Sequence, residues 1–159
     1  MTLWRLLKKT GGDIKMATPI IVPDASVILK WAFHSSGEQS LDKALDILNL
    51  WLTGKVEIML PKLWAFEVGN VLGLKNPQFA QEIMEILIGY RFPQHGTTPE
   101  LCREIFKLMK QYRVTFYDAA YHAVALLKKG MMITNDNAYY RKAFKTGSLV
   151  MLEDFSVGI

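Results

Sequence analysis

Pro19–Ser26, which reads PIIVPDAS, is the stretch that decides the predicted fold. Ile20–Val22 is a short β-branched run, typical of a strand that is covered on both faces of a parallel sheet. Pro23 has no N–H to donate to a neighbouring strand, so we expect the strand to end there. From Ala25 the apolar pattern is long enough for about two helical turns. Asp24 therefore stands where a strand passes into a helix, at the sheet edge where open α/β proteins bind ligands.

Asp24 taken alone has two interpretations. It can be a simple helix cap, because a carboxylate accepts hydrogen bonds from the first helical amides and is favoured by the helix dipole. It can also belong to a ligand site at the carboxyl edge of the sheet. The remaining sequence has to decide between them.

Strand and helix patterns alternate along the rest of the chain. One further helix is predicted to begin at Pro61, and a helix that is apolar almost all round begins near Asp118. Strands are predicted over residues 20–22, 56–60, 90–95, 131–134 and 148–151. This alternation predicts an α/β fold with three layers, α/β/α, in which a central parallel sheet is joined by right-handed crossovers.

Composition limits the class of protein. The 159 residues suffice for one domain, and 50% of them are hydrophobic while 21% are charged. The single cysteine, Cys102, leaves no internal disulfide framework and fits a reducing cytoplasm. No apolar run approaches the roughly 20 residues of a membrane helix. A net charge of +4 suits a polyanionic partner. We expect a basic and poorly ordered extension over residues 1–18, a nuclease-like domain over 19–155 and a tail over 156–159.

Three further carboxylates stand at unusual positions. Glu67 falls within the apolar stripe of its predicted helix, where loss of solvent would penalise its charge unless it reaches water or pairs with an Arg. Asp118 begins the apolar helix, and Asp136 follows the predicted strand 131–134 as Asp24 follows the first strand. The stripe around Glu67 is predicted to comprise Leu63, Trp64, Val71 and Leu74.

Four converging carboxylates would repel one another unless a cation lay between them. Mg²⁺ or Mn²⁺ prefers oxygen ligands, whereas the chain has no cluster of Cys and His for zinc. His122 lies one helical turn after Asp118 and is either a further ligand or, more commonly for such a residue, a hydrogen-bonded part of the core.

Four short motifs in this order resemble those of PIN-domain proteins. They are residues 21–26 (IVPDAS), 63–70 (LWAFEVGN), 115–121 (TFYDAAY) and 133–136 (ITND). Size and motif order are similar to VapC-type toxins of prokaryotic toxin–antitoxin pairs, and the resemblance extends from Ile20 to Phe155. Pro23 departs from the residue that the family more often has before its Asp, and this departure leaves the carboxylate in place.

The resemblance implies a PIN-like fold and metal-dependent endonucleolytic cleavage of RNA. It also implies a homodimer that is silenced by a small antitoxin protein, whose tail enters the acidic groove. Ser26 and Thr134 match hydroxyl positions that orient a carboxylate or a metal-bound water. The residues implied to bind Mg²⁺ or Mn²⁺ and to act in catalysis are Asp24, Glu67, Asp118 and Asp136.

Two sets of surface residues are candidates for binding partners. Trp31, Phe33, Leu48 and Trp51 exceed what a small core needs, so they are either an exposed interface or simply buried. The basic candidates for RNA contact, which could equally be solvated surface, are Lys30, Arg103, Lys107, Lys110, Arg141, Lys142 and Lys145.

Other functions compatible with an Asp at the end of the first strand fit this sequence less well. A haloacid-dehalogenase type phosphatase needs a second Asp two residues after the first, where this chain has Ser26. The serious alternative is a catalytically silent PIN-like module that binds nucleic acid or protein. The four intact acidic positions argue against that alternative.

Overall fold

The computed structural model describes residues 17–33 and 39–157. Most of the expected basic extension, residues 1–16, and the last two residues of the expected tail lie outside these ranges. Among the described residues, no helix is both long enough and apolar enough to cross a membrane.

The strands form a central sheet and a separate small pair. Four strands in the order β2-β1-β5-β6 make the central sheet, and every neighbouring pair in it is parallel. β3 and β4 form a second parallel pair beside it. The strands are β1 (Ile20–Pro23), β2 (Glu57–Ile58), β3 (Leu60–Pro61), β4 (Gln94–His95), β5 (Met131–Thr134) and β6 (Leu149–Met151).

Both faces of the central sheet are covered. Successive side chains of a strand point to opposite faces. Ile21 and Val22 on β1 are both fully buried, and so are Met132 and Ile133 on β5. Ile21 is in register with Met131 of β5, which places the ends of these two strands side by side. The three-layer α/β fold with a central parallel sheet is therefore confirmed.

Seven helices occur in the described part of the chain. α1 and α6 each pack on β1 and β5, and α5 lies along α6. The helices are α1 (Ala25–Ala32), α2 (Gln39–Leu52), α3 (Trp64–Lys75), α4 (Ala80–Gly89), α5 (Pro99–Tyr112), α6 (Phe116–Leu127) and α7 (Asn137–Ala143). Two 3₁₀ turns follow, at Phe144–Thr146 and Leu152–Asp154.

The middle of the chain departs from the predicted boundaries. The strand predicted over 56–60 is divided between β2 and β3, which belong to different sheets. Pro61 lies in β3 rather than at a helix start, and α3 begins at Trp64. Of the strand predicted over 90–95, only Gln94–His95 is extended in a ladder. Arg91 adopts a left-handed conformation with φ of 53°, and Phe92 turns into the core, so the earlier part cannot pair.

Phe92 is the centre of an aromatic cluster that explains the apparent surplus of large side chains. Its ring lies 4.8 Å from that of Trp51 and 5.7 Å from that of Trp31. The Trp31 indole N–H also donates to the Ala44 carbonyl at 2.7 Å. Trp31 is buried, and Phe33, Leu48 and Trp51 are partly buried against the same core. Of the two interpretations of these four side chains, the structure therefore favours packing in the core over an exposed patch.

Other apolar side chains are exposed instead. Phe66 and Leu74 on α3 are 79% and 76% exposed, and Ile86 and Ile88 on the neighbouring α4 are more than half exposed. The interior face of α3 is formed by Trp64, Val68 and Leu72, spaced four residues apart. Leu74 therefore does not belong to the stripe predicted around Glu67.

Gly130 fixes the approach of β5 to β1. A Cβ atom at this position would lie 2.6 Å from the carbonyl oxygen of Ile20, which is backbone and cannot move alone. Any side chain here would push apart the two strands whose ends carry Asp24 and Asp136. The absence of a side chain at Gly130 is thus a requirement of the site as much as of the sheet.

Candidate active site

Asp24 lies at the carboxyl end of β1 and is only 6% exposed. Its backbone N–H donates to the Ile133 carbonyl of β5 at 3.0 Å. Its side chain caps α1 by accepting the Val27 N–H at 3.2 Å. The same carboxylate accepts hydrogen bonds from the hydroxyls of Ser26 and Thr134. The cap and the candidate site are therefore one arrangement rather than alternatives.

Burial raises the pKa of Asp24 from 3.8 to about 7. The hydrogen bonds from Ser26, Thr134 and the Val27 amide favour the charged form and oppose this rise, while the negative charge of Glu67 adds to it. The loss of solvent exceeds what three donors can offset. Among the described residues, no cation contributes to the ionisation of Asp24, so the charge of this carboxyl group is not balanced there.

Glu67 projects from α3 toward the same edge of the sheet and is partly buried. It accepts a hydrogen bond of 2.8 Å from the Tyr121 hydroxyl on α6. Burial raises the pKa of Glu67, and the charge of Asp118 raises it further, against the effect of Tyr121. The pKa of Tyr121 is raised as well, so its hydroxyl keeps its proton and donates.

Asp118 is held at the start of α6 by Thr115. The Thr115 hydroxyl accepts the Asp118 N–H at 3.1 Å and donates to the Asp118 carboxylate at 2.8 Å. Burial raises the pKa of Asp118, Asp136 raises it further, and Lys142 opposes both. Asp118 thus couples to Asp136 on one side and to Glu67 on the other.

Asp136 caps α7 at the carboxyl end of β5. Its carboxylate accepts the N–H groups of Ala138 and Tyr139 at 2.9 and 3.0 Å. Its own N–H donates to the Thr134 hydroxyl at 3.0 Å, and Thr134 in turn donates to Asp24. One hydroxyl therefore links the two acidic residues that follow β1 and β5.

The four carboxylates affect one another's ionisation in pairs, and they do not all line one cleft. Asp118 and Asp136 share the wall of a cleft of about 300 Å³, of which Asp24 and Glu67 are not part. In residues 17–33 and 39–157, no three side chains of His, Cys, Asp or Glu form a group that could hold a metal ion. The other residues in the cleft wall include Arg113, Thr115, Tyr139 and Lys142.

The donor set nevertheless has the chemistry of a site for a hard divalent cation. All four acidic side chains offer oxygen, and three of them have a raised pKa because each lacks solvent and faces another carboxylate. A cation with oxygen ligands would relieve that repulsion. The fit is one of ligand type and charge, and small side-chain movements would have to bring the oxygens together.

His122 belongs to the core. It is fully buried, and its two ring nitrogens lie 2.8 Å from the Tyr139 hydroxyl and 2.7 Å from the Gly147 carbonyl. Burial lowers the pKa of His122, which keeps the ring neutral. Both nitrogens are used within the fold, so of the two interpretations of His122 the structure shows the hydrogen-bonded one.

Of the seven basic candidates, only Lys142 lines the cleft. Lys30 is partly buried on α1. Lys107 forms an exposed ion pair of 3.9 Å with Glu104, a contact of little energetic weight. The five that are exposed elsewhere are Arg103, Lys107, Lys110, Arg141 and Lys145.

Sequence reasoning missed three residues that the structure places at the site. Thr115 could have been found, because Thr followed three residues later by an acid is a capping pattern. Arg113 gave no signal beyond its charge. Tyr121 contacts a residue 54 positions away, and no local pattern announces such a pairing.

A family model for the PIN domain matches residues 21–145, which contain all four acidic positions. The chain belongs to the PIN domain family. No curated protein matches the sequence.

Solved structures with the same PIN fold include a protein of a toxin–antitoxin complex from Klebsiella pneumoniae. It is 15% identical, with a TM-score of 0.61, over 87% of this chain and 99% of that one. VapBC2 from Rickettsia felis is 13% identical, with a TM-score of 0.61, over 83% and 96% of the two chains. VapC20 of Mycobacterium tuberculosis, described as a sarcin-ricin loop cleaving toxin, is 16% identical, with a TM-score of 0.57, over 77% and 93%.

The raised pKa of Asp24 makes the stability of this PIN domain depend on pH when metal is absent. Between pH 3.8 and about 7 the folded state binds more protons at Asp24 than the unfolded state. The free energy of unfolding therefore falls as the pH rises through that window. We expect Asp24 alone to lower it by on the order of 2 kcal/mol between about pH 5.5 and 8.

Urea unfolding in EDTA at both pH values measures this effect. Asp24→Asn should lose that part of the pH dependence, whereas Asp42→Asn, at an exposed position on α2, should retain it. The lowered pKa of His122 makes the free energy of unfolding rise with pH instead. His122 is present in the wild type and in both variants, so its effect cancels in the comparison. Equal pH dependence in the wild type and Asp24→Asn would show that Asp24 is not a desolvated acid.

Proposed function

We propose that this PIN-domain protein is a divalent-metal-dependent endoribonuclease that hydrolyses RNA phosphodiester bonds. The observation that supports it best is the series of coupled carboxylates at the carboxyl edge of the sheet. Asp24, Glu67 and Asp118 each have a pKa raised by burial and by the next acid in the series. Desolvated acids that repel one another lower stability, and such groups cluster at functional sites.

The proposed cofactor is Mg²⁺ or Mn²⁺, held by Asp24, Glu67, Asp118 and Asp136. When bound, such an ion would supply an activated water and positive charge to stabilise the phosphate in the transition state. The Ser26 hydroxyl donates to Asp24 and accepts the Asn135 N–H at 2.8 Å, so it is engaged within the fold. We therefore assign the attack to a metal-activated water rather than to a side-chain nucleophile.

The protein's own groups would position the acids for this chemistry. Ser26 and Thr134 fix the Asp24 carboxylate, Thr115 fixes Asp118, and the Tyr121 hydroxyl holds one oxygen of Glu67. The hydrogen bonds of Glu67 and Asp118 each use one carboxylate oxygen, Oε2 and Oδ2, whereas both oxygens of Asp24 accept a hydroxyl. A carboxylate oxygen that accepts one hydrogen bond still has a second lone pair for another ligand. Residues with restrained rotamers are what a preorganised site requires.

RNA is the proposed substrate because the protein combines an acidic site with a basic surface. Its net charge is +4, and exposed Arg103, Lys107 and Lys110 lie on one side of α5. Cations beside the acidic edge would attract phosphates that the carboxylates repel. Unpaired RNA in the cytoplasm presents its backbone more freely than a duplex, which favours single strands or loops.

The proposed biological role is the toxin of a toxin–antitoxin pair. The structures from Klebsiella pneumoniae and Rickettsia felis are described as a toxin–antitoxin complex and as VapBC2 bound to a DNA fragment from its promoter. A small antitoxin is accordingly the proposed partner. Growth arrest on expression of this chain alone, relieved by the product of the neighbouring gene, would support the role.

We further propose that a second copy of the chain covers the apolar side chains exposed on α3 and α4. Phe66 and Leu74 are each more than three-quarters exposed. Large apolar side chains exposed together on a surface often mark a protein–protein interface. Sedimentation of the purified protein should show a dimer that Phe66→Ser weakens. A monomer at every concentration would remove this proposal without affecting the nuclease.

One observation favours a second function, a catalytically silent PIN module that binds nucleic acid or protein. The four acids do not form a ready metal-holding group in the described residues. A silent module would bind Mg²⁺ or Mn²⁺ no better than a protein lacking the acids, so calorimetric titration with either ion distinguishes the two functions.

Cleavage of single-stranded RNA by the purified chain tests the nuclease proposal. We expect cleavage in Mg²⁺ or Mn²⁺ and none in EDTA. Asp118→Asn should reduce the rate at least about 100-fold, because it removes a charge at the reacting centre and retains the fold. Asp42→Asn makes the same charge change on an exposed face and should cleave normally. Undiminished cleavage by both Asp24→Asn and Asp118→Asn would refute the assignment.

A further inference from the structure

Arg113 occupies a backbone position that favours glycine. It follows the last turn of α5 with φ of 53° and ψ of 52°, and its N–H caps the helix by donating to the Met109 carbonyl at 2.8 Å. A left-handed conformation is unfavourable for a residue with a Cβ atom, and glycine is the usual residue after a helix. Arg91 has the same φ, so the conformation alone does not indicate function.

Arg113 differs from Arg91 in where it lies. Its side chain is exposed and forms part of the wall of the cleft that contains Asp118 and Asp136. Lys142, on α7, lines the same cleft and is close enough to Asp118 to oppose the rise of that residue's pKa. One cation just after α5 and one on α7 therefore line the same cleft as two carboxylates.

The two cations are available to a ligand. In the described residues neither Arg113 nor Lys142 belongs to an ion pair, whereas Lys107 on α5 pairs with Glu104. Cations that only balanced the acidic cleft would be expected to contact its carboxylates. A cleft that carries both signs of charge suits a chain of phosphates, with one phosphate at the acids and the next at the cations.

The exposed side of α5 leads toward this cleft. Arg103, Lys107 and Lys110 precede Arg113 at helical spacing, and all are exposed. The distance along the helix from Arg103 to Arg113 is about 15 Å at 1.5 Å per residue. Phe106, 57% exposed on the same side, offers an aromatic face to an unpaired base.

We propose that Arg113 and Lys142 bind the phosphate next to the one that is cleaved, and so position single-stranded RNA that runs along α5. This inference rests on the proposed nuclease function and deepens it by assigning the residues that position the substrate. Arg113 would act by binding and orientation and would not touch the reacting atoms.

The decisive variant is Arg113→Gly, which removes the cation and relieves the backbone at once. If the role of Arg113 were only structural, glycine would preserve or improve every property. If Arg113 binds phosphate, Arg113→Gly should melt at an equal or higher temperature and yet bind RNA less tightly. Arg91→Gly is the matched control, since Arg91 is exposed with the same φ but lies away from the cleft.

Binding can be measured apart from cleavage by placing all variants in an Asp24→Asn background with Mg²⁺. The probe is a fluorescent single-stranded RNA of about ten nucleotides, within the usual range of binding-site sizes. Arg113→Gly should weaken binding about tenfold and reduce the slope of log K against log salt by about 0.7, the value for one phosphate contact on a single strand. Arg113→Lys should restore most of the slope, and Arg91→Gly should change neither quantity.

Unchanged affinity and slope in Arg113→Gly, or an equal change in Arg91→Gly, would overturn the inference. Cleavage by the chain with native Asp24 separates this failure from failure of the nuclease proposal. If RNA is cut but Arg113→Gly leaves KM unchanged, only the inference fails. If RNA is bound through Arg113 but never cut, the nuclease proposal fails together with the position beside a cleaved phosphate, and the contact of Arg113 with RNA stands.

Discussion

The buried carboxylate of Asp24 is the constraint on which the rest of this PIN domain depends. It caps α1 by accepting the Val27 N–H. It also accepts hydrogen bonds from the hydroxyl of Ser26 in α1 and from the hydroxyl of Thr134 at the end of β5. These contacts join the first strand, the first helix and the neighbouring strand at one point. The same burial that makes the contacts strong also leaves the charge without solvent.

That conflict continues from one acid to the next. Glu67 opposes the ionisation of Asp24, Asp118 opposes that of Glu67, and Asp136 opposes that of Asp118. A fold selected for stability alone would place Asn or Ser at such positions, because burial of like charges is unfavourable. The arrangement is understandable if a cation completes it, and it then explains why hydroxyl donors surround acids that they only partly compensate.

Local patterns in the sequence were enough to predict the frame of the site. The apolar runs of β1 and β5, each followed by Asp, predicted two acids at one sheet edge, and the structure places both there as helix caps. The basic side of α5 was likewise predicted from helical spacing. In each of these cases the cause lies within a few neighbouring residues, so the sequence carries it directly.

What could not be predicted depends on distant contacts. The Tyr121 hydroxyl reaches Glu67 across 54 positions, and Phe92 leaves the predicted strand because Trp31 and Trp51 provide a pocket for it. Arg113 reached the cleft wall through the packing of α5 on α6, which no periodicity reveals. The apolar pattern also predicted that Leu74 is buried, but Leu74 is exposed. Hydrophobic spacing does not tell whether another element of the fold packs over a given side chain.

The ionisation of Asp24 tests the central claim most directly. Carbon-13 NMR of the carboxyl groups, followed against pH without metal and then with Mg²⁺, would report it. The account predicts a pKa for Asp24 of about 7 without metal, falling when the ion is added. An Asp24 pKa near 4 that does not respond to Mg²⁺ would contradict both the desolvated carboxylate and its proposed cation.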